Sequence, residues 1–388
     1  MLDAVGYLID GMDRGLIGCL TTADTSKAFD SVQHPRLLEK LGWYGIDTHW
    51  FDNWLSGRRQ AVRGGEGDTQ PITHGAIQGS LIGPVLFLIF TNDLVSYLEM
   101  EGSKMVMYAD DVQLLHQSKP SDLSGLKVSV ERTVATVHSW FSENSLKINP
   151  NNTDLVLIKS SKRQLSYEFS VQFGDVSIRP SPAVKVLGMD VDGGLTFEKH
   201  VSSIVRRCYA TLGGLSKMAG KLPEPVKKMI VESLIFPHLS YCSSVWAGCN
   251  ATQRHRLQKV LNHCAQVVKG AKRRDHVTPL LAELEWTSLD NLVAERDVSQ
   301  MHYLLNNEQA PGSLTACIVH RSDVATRDTR ASLAGLLQIP RARSEHARRS
   351  FFYRSPALWN RVPAEVREAR SATACRRRAR KWFAMSSP

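Results

Sequence analysis

The stretch 104-KMVMYADDVQLL-115 places two adjacent carboxylates between two apolar, β-prone runs. Apolar runs of this length on either side of a short polar break predict a β-hairpin, although the usual Asn-Gly or Asp-Gly turn is absent. Asp110 and Asp111 would then lie at the hairpin tip, where two ionised carboxylates repel each other. The rest of the fold has to be arranged so that this local concentration of charge is tolerated.

A bound divalent cation would supply the missing counter-charge, so the hairpin tip is a candidate magnesium site. For an Asp-Asp pair alone, an ordinary acidic turn is the better interpretation, and a third carboxylate would change the balance. The run from Leu16 to Asp24 supplies one, because it reads as a strand that ends on Asp24. Asp24 precedes Asp110 by 86 residues, so only a fold that places this strand beside the hairpin brings the acids together.

Length and composition indicate a folded protein of two or three domains: the chain has 388 residues, of which 43% are hydrophobic. The sequence has no apolar run of membrane-spanning length, and its first residues carry acids where a targeting segment would carry bases. We therefore expect no membrane span and an intracellular location, nuclear or cytoplasmic. The seven cysteines are scattered without a CxxC pair, so neither a disulfide framework nor a structural zinc site is predicted.

Positive charge is concentrated at the C-terminal end. Residues 340–388 hold twelve Arg and one Lys against three Glu, a net charge of +10 that equals the net charge of the whole chain. Three acids are too few to pair with these bases locally, so the segment predicts an anionic polymer as partner. Aromatic residues between the arginines would offer stacking platforms for bases, namely Phe351, Phe352, Tyr353, Trp359 and Trp382.

Hydrophobic periodicity gives the main helices and strands. It predicts amphipathic helices over 1–17, 85–98 and 123–141, and two further helices with basic outer faces between residues 200 and 269. The segment 58–63 predicts a short basic strand, followed by a glycine-rich turn at 64–68.

Three motifs in order make a family resemblance specific. TTADTSKAFDSVQH (21–34), AIQGSLIGPVLFLIFTNDL (76–94) and MYADDVQLL (107–115) resemble the A, B and C motifs of reverse transcriptases, most closely those of non-LTR (LINE-type, jockey-like) retrotransposons. The resemblance implies an RNA-directed DNA polymerase whose partners are an RNA template, a DNA primer and dNTPs. It also implies an α+β fold: a polymerase palm with an antiparallel sheet backed by helices (1–195), a helical thumb (196–275) and a basic C-terminal region (276–388). The oligomeric state is left open.

The resemblance assigns catalytic and metal-binding roles to Asp24, Asp110 and Asp111. In the family, two Mg²⁺ ions, with Mn²⁺ as an alternative, activate a primer 3′-hydroxyl and stabilise the departing pyrophosphate. The implied substrate-binding residues are Phe29, Gln78, Gly79, Ser80 and Tyr108. Phe29 occupies the position of the aromatic residue that excludes a ribose 2′-hydroxyl. Since an odd spacing from Asp24 faces away on an ideal strand, this role requires the chain to curl after Ser26, and for Phe29 alone core packing is the better interpretation.

Two departures from the family pattern bear on activity. The segment 146–158 resembles the D motif, but Asn152 stands where the family has a lysine, and an amide cannot protonate pyrophosphate as an ammonium can. The segment 184–192 resembles the E motif, the pair of strands that grips the primer. In addition, the family's fingers subdomain precedes the first aspartate motif, and it cannot fit into the 23 residues before Asp24. We therefore expect that the fingers are missing, that the chain is a truncated copy and that it polymerises weakly. The alternative function is a catalytically silent remnant that binds nucleic acid.

Overall fold

The computed structural model describes residues 1–61, 69–77, 79–99, 103–149, 152–160, 169–324 and 335–386. It contains two compact units: a sheet unit, Gly15–Val184, and a helical unit formed by Met1–Arg14 together with Lys185–Pro388. The predicted division into domains 1–195, 196–275 and 276–388 is finer than this two-unit arrangement and stays a prediction.

The sheet unit is built on a four-stranded antiparallel sheet with the strand order β5-β6-β1-β8. β1 pairs with β6 on one side and β8 on the other, and its side chains from Ile17 to Leu20 and at Ala23 are buried. The strands of the chain are β1 (Ile17–Ala23), β2 (Thr25–Ser26), β3 (Arg59–Gln60), β4 (Gln70–Pro71), β5 (Lys104–Tyr108), β6 (Asp111–Ser118), β7 (Lys147–Ile148), β8 (Asp154–Ile158), β9 (Val171–Phe173), β10 (Val176–Ile178), β11 (Ala183–Val186) and β12 (Met189–Asp192).

Helices cover this sheet through one hydrophobic core. The helix Leu123–Glu143 buries Val130, Val137 and Trp140, at the spacing that the sequence predicted, and belongs to the same buried cluster as β1, β6 and β8. The other helical segments of the sheet unit are Phe29–Ser31 (3₁₀), His34–Trp43, Thr48–Leu55, Gly83–Thr91 and Leu94–Glu99. The predicted α+β class, an antiparallel sheet backed by helices, is therefore confirmed.

The single helix predicted over 85–98 is wrong, because the chain forms two helices that are interrupted at Asn92 and Asp93. At the interruption the Asp93 carboxylate accepts hydrogen bonds from Lys40 Nζ at 2.8 and 3.0 Å and from the indole N–H of Trp140 at 3.3 Å. The Lys40 ammonium is almost fully buried and also lies 4.6 Å from the ring centres of Phe90 and Trp140. A charge buried this deeply requires a partner, and Asp93 supplies it.

Other local predictions can be compared directly with the structure. The hairpin predicted over 104–115 is confirmed as β5 and β6, with Ala109 in the left-handed conformation (φ 52°) at its tip. The strand pair predicted over 184–192 is confirmed as β11 and β12. The basic strand predicted over 58–63 is shorter, reduced to β3, and the turn predicted at 64–68 lies outside the described residues.

The helical unit contains the first helix, Leu2–Asp13, as well as the C-terminal half of the chain. Its longest helices are Glu198–Met218, Ala251–Lys269 and Leu289–Asn306. The first two are the helices predicted between residues 200 and 269, and they pack on each other. The remaining helices are Ala219–Lys221 (3₁₀), Glu224–Leu234, Phe236–Ser240, Ser243–Trp246, Val277–Glu283, Gly312–Thr315, Arg321–Val324, Glu345–Arg349, Phe351–Arg361, Ala364–Arg367 and Ala372–Ser386.

The C-terminal segment is not the free basic tail that its composition predicted. Phe351 and Trp359 are buried in a core with Val298 and Met301, so their rings are not available as stacking platforms. Its arginines also find acids outside the segment: Arg354 pairs with the buried Asp297 at 2.6 Å, and Arg376 and Arg380 pair with the buried Glu295 at 3.1 and 2.8 Å. The prediction that these arginines lack acidic partners is wrong for these three, because it counted only acids nearby in sequence.

Each of the seven cysteines is a free thiol, as the scattered spacing predicted. Within the part of the chain that the structure describes, no helix is both long and apolar enough to cross a bilayer.

We predict that the sheet unit loses stability as the pH falls from about 6.5 towards 4, because of His116. Burial lowers the pKa of this imidazole from 6.5 to about 4, while Nε2 lies 2.9 Å from the Thr133 hydroxyl. A histidine whose pKa is depressed by folding stabilises the fold at high pH, and that contribution disappears as the pH falls towards its folded pKa. The loss should reach about 3 kcal/mol.

Urea denaturation of the parent chain and of His116→Gln between pH 7 and pH 4 measures this effect. The free energy of unfolding should fall more steeply with decreasing pH in the parent, since glutamine does not titrate. Parallel pH profiles would contradict the assignment.

Candidate active site

β1 and the β5–β6 hairpin bring the predicted carboxylates to one end of the sheet. Ala23, the last residue of β1, pairs with Val112 in β6, so Asp24 follows β1 at the same end at which Asp111 begins β6. The Thr25 hydroxyl donates a hydrogen bond to the Asp110 carbonyl oxygen at 3.2 Å, which fixes the chain after β1 against the hairpin tip. The expectation that the β1 strand lies beside the hairpin is therefore confirmed.

The electrostatics of this end of the sheet reflect three neighbouring carboxylates. Partial burial raises the pKa of Asp111, and the negative charges of Asp110 and Asp24 raise it further. Carboxylate oxygens are the ligands that Mg²⁺ prefers, so the donor set and its excess negative charge fit a divalent cation. Over the described residues, however, no three His, Cys, Asp or Glu side chains are grouped closely enough to form a finished metal site.

Asn152 makes a contact that the sequence did not reveal. Its side-chain N–H group donates to Asp24 Oδ2 at 3.0 Å, and the Asn149 N–H donates to the Asp24 carbonyl oxygen at 3.1 Å. The residue that replaces the family's lysine therefore holds the first catalytic candidate directly. The sequence did show that an asparagine replaces the family's lysine at position 152. It could not show that Asn152 contacts Asp24, because the two residues are 128 residues apart.

Phe29 lies on the curled segment that its predicted role requires. Lys27 adopts a positive φ of 51° and a 3₁₀ turn starts at Phe29, so the chain does curl after Ser26. The Phe29 ring stacks on Phe87 with 4.4 Å between centroids, and its backbone carbonyl accepts from the Ala76 N–H. Phe29 is thus packed against the core while only partly buried.

The loop that carries the B-motif residues starts beside the curled segment at residues 29–32. Gly75 has φ +99° and donates to the Val32 carbonyl oxygen at 2.7 Å, and a Cβ at this position would come within 3.3 Å of the Asp30 backbone. Only glycine accommodates both the positive φ and the close approach of the Asp30 backbone. The loop and residues 29–32 are therefore held together.

Of the remaining substrate-binding candidates, Gly79 and Ser80 lie just before the helix Gly83–Thr91, and Tyr108 lies at the end of β5. Gly79 adopts φ +80° in the turn, and the Ser80 hydroxyl donates to the Ile77 carbonyl oxygen at 2.7 Å and accepts from the Gly83 N–H at 2.9 Å. Ser80 thus fastens the start of the helix Gly83–Thr91. Tyr108, the last residue of β5, pairs with Asp111 and is 66% exposed, which leaves its ring accessible to a ligand. Gln78 lies outside the described residues.

Comparison with known proteins identifies the part of the chain that contains this site. The family described as "Reverse transcriptase (RNA-dependent DNA polymerase)" matches residues 13–191, which include every candidate above. Residues 13–191 resemble a reverse transcriptase domain. Their antiparallel sheet, backed by helices, agrees with the fold that the motifs implied.

The proteins similar to this chain include products of non-LTR retrotransposons. A putative 115 kDa protein of the type-1 retrotransposable element R1DM of Drosophila melanogaster is 24% identical over 254 residues, 64% of this chain and 24% of the relative. The RNA-directed DNA polymerase of the Drosophila melanogaster mobile element jockey is 27% identical over 281 residues, 69% of this chain and 30% of the relative. The chain thus spans about a quarter to a third of the length of these relatives. Among solved structures, a Candida tropicalis apo telomerase matches with a TM-score of 0.37 and 11% identity, covering 79% of this chain and 55% of that one.

We predict that Asp111→Asn stabilises the chain at neutral pH in the absence of divalent cations. An aspartate whose pKa is raised by folding destabilises the fold once it is ionised, and the amide removes that repulsion. Because Asp111 is exposed, the gain should be about 0.2–1 kcal/mol. Urea denaturation in EDTA measures it, with the exposed Asp175→Asn in the β9–β10 turn as the matched control.

Addition of Mg²⁺ should then stabilise the parent and Asp175→Asn more than Asp111→Asn, since a ligand stabilises only the state that binds it. Equal stability of all three chains under both conditions would contradict the carboxylate cluster.

Proposed function

We propose that the reverse transcriptase domain catalyses RNA-directed DNA synthesis, with Asp24, Asp110 and Asp111 as the residues that hold Mg²⁺. The observation that carries the proposal is the electrostatic coupling of Asp111 to both Asp110 and Asp24 at the end of the β1–β6 pair. These three acids come from two segments far apart in sequence, and a cation at this end of the sheet would balance their charge. An RNA template, a DNA primer and dNTPs are the proposed partners.

The roles of the side chains follow from their positions. Asp24 and Asp110 would each contribute carboxylate oxygens to the metal ions, and Asp111 would add negative charge beside them. When bound, the metal ions supply the charge stabilisation of the attacking and leaving oxygens. Phe29, held on Phe87 by stacking, is placed to limit space beside the nucleotide sugar, since its ring cannot retreat into a core that is already filled. Tyr108 offers an exposed ring at the same hairpin.

A second candidate, a nucleic-acid-binding protein without turnover, is favoured by one specific contact. The amide of Asn152 donates to an Asp24 carboxylate oxygen that metal coordination would use, and it brings no proton to transfer. An ammonium at this position would both attract the triphosphate and act as a general acid. The contact therefore predicts slow chemistry, while binding of template and primer is unaffected by it.

We predict that the chain 1–388 extends a DNA primer on an RNA template with Mg²⁺ and dNTPs, and that Asp110→Asn slows the extension strongly. Removal of one electrostatic contributor to a transition state typically costs about 10²–10³ in rate. Asp175→Asn, which changes an exposed carboxylate on the same unit, should retain the parent rate. Single-turnover extension on a radiolabelled primer measures these rates.

The second candidate gives a different result in the same assay. Retained binding of the primer–template with no extension by the parent, and a gain of extension in Asn152→Lys, would favour the silent protein and assign its defect to position 152. Extension by Asp110→Asn at the parent rate would overturn the proposed catalytic residues.

A further inference from the structure

Two adjoining cavities in the helical unit share an arginine pair. Each cavity has a volume of about 450 Å³, and Ser240, Arg296 and Arg376 line both. A volume of this order suits a small organic ligand. All the lining residues belong to the helical unit, whereas the carboxylates proposed for polymerisation belong to the sheet unit. The two proposed sites can therefore be tested independently of each other.

The arginine pair belongs to a cluster with more positive than negative charge. Glu295, which is 1% exposed, already binds Arg376 at 3.1 Å and Arg380 at 2.8 Å. Arg296 follows Glu295 on the helix Leu289–Asn306, and its buried Nε has no hydrogen-bond partner among the residues that the structure describes. Burial and the guanidinium of Arg376 lower the pKa of Arg296, and Glu295 offsets only part of this effect. A buried donor left unpaired beside like charges is costly unless an anion binds it.

The linings of the two cavities differ in a way that defines the ligand. The first holds the aromatic rings of Phe236 and Trp286, 4.9 Å apart, together with the acids Glu232 and Glu285. Glu232 is already engaged by the Trp286 indole N–H at 2.8 Å.

The second cavity is lined by hydroxyl side chains, including Ser243, Ser244 and Thr373, and its described lining contains neither Asp nor Glu. Guanidinium forks combined with hydroxyl donors are the groups with which proteins bind phosphate, while aromatic rings stack on nucleobases.

We propose that the helical unit binds a nucleotide, with its phosphate in the hydroxyl-lined cavity against Arg296 and Arg376 and its base directed towards the half-buried ring of Phe236, which the buried Trp286 supports from behind. A phosphate there would give the Arg296 Nε an acceptor and balance the excess charge. A free mononucleotide and a nucleotide within a single strand of RNA both offer a phosphate and a base, and the titrations below distinguish these two ligands.

Isothermal titration of the chain 1–388 with adenosine 5′-monophosphate, adenosine and a short single-stranded RNA tests the site. The variants are Arg296→Met, which keeps the aliphatic stem but removes the charge, and Arg377→Met as the matched control, since Arg377 is exposed and lines neither cavity. Loss of a charged hydrogen bond predicts binding roughly 10–100-fold weaker in Arg296→Met and unchanged in Arg377→Met. Adenosine should bind far more weakly than its monophosphate.

The two phosphate-bearing probes identify the source. Arg296-dependent binding of the mononucleotide supports a free nucleotide, and Arg296-dependent binding of the RNA alone supports a strand. Equal binding of both phosphate-bearing probes by Arg296→Met and Arg377→Met, or adenosine binding as tightly as its monophosphate, would overturn the proposal.

Folding of the variants is checked by thermal denaturation. Arg296→Met should melt no lower than the parent, because it removes a desolvated charge to which no described acid is hydrogen-bonded. If Arg296→Met unfolds, Arg296→Lys is titrated instead: it retains the charge but lacks the planar fork, so the mononucleotide should still bind several-fold more weakly. Undiminished binding by a folded Arg296→Lys would also overturn the proposal.

Discussion

Antiparallel pairing on both edges of β1 is the constraint on which the sheet unit depends. The β1–β6 register places Ala23 opposite Val112, and the β1–β8 register places Thr22 opposite Asp154. Since side chains alternate along a strand, a slip of one residue would exchange the side chains on the two buried faces of β1 and move Asp24 away from the hairpin tip. The burial of apolar side chains and the position of the acids are therefore set by the same hydrogen-bonded ladder, which also brings the D-motif segment within reach of Asp24.

Local signals were sufficient for the elements that carry the candidate site. The apolar runs of β1, β5 and β6 and the helix Leu123–Glu143 have strong periodicity, and the structure has them at the predicted places. The helix break at Asp93 was not predictable in this way, because its partner Lys40 lies 53 residues earlier and periodicity contains no information on such pairs. For the same reason, the sequence showed that a lysine was absent at Asn152 but not that the asparagine would bind Asp24.

The C-terminal segment shows where composition misleads. Counting charges between residues 340 and 388 treats each arginine as free unless an acid is close in sequence. In the fold, the helix Leu289–Asn306 presents Glu295 and Asp297 from its buried face, and these two carboxylates engage Arg354, Arg376 and Arg380. Ion pairs buried in this way are specific in geometry, since breaking one leaves a desolvated charge. Three of the segment's thirteen basic side chains are thus bound to buried acids, and the aromatic residues Phe351 and Trp359 are buried in the core.

Excess like charge occurs in each unit, with opposite sign. In the sheet unit, burial and then the charges of Asp110 and Asp24 raise the pKa of Asp111, and in the helical unit burial and then the guanidinium of Arg376 lower the pKa of Arg296. In both cases the fold holds a partly buried ionisable group beside like charges, an arrangement that an ion of opposite charge would stabilise. The well-paired charges, such as Lys40 with Asp93, are by contrast enclosed by aromatic rings and serve the core alone. Incomplete pairing, rather than the number of charged residues, is therefore the property that separates candidate binding sites from structural ion pairs in this chain.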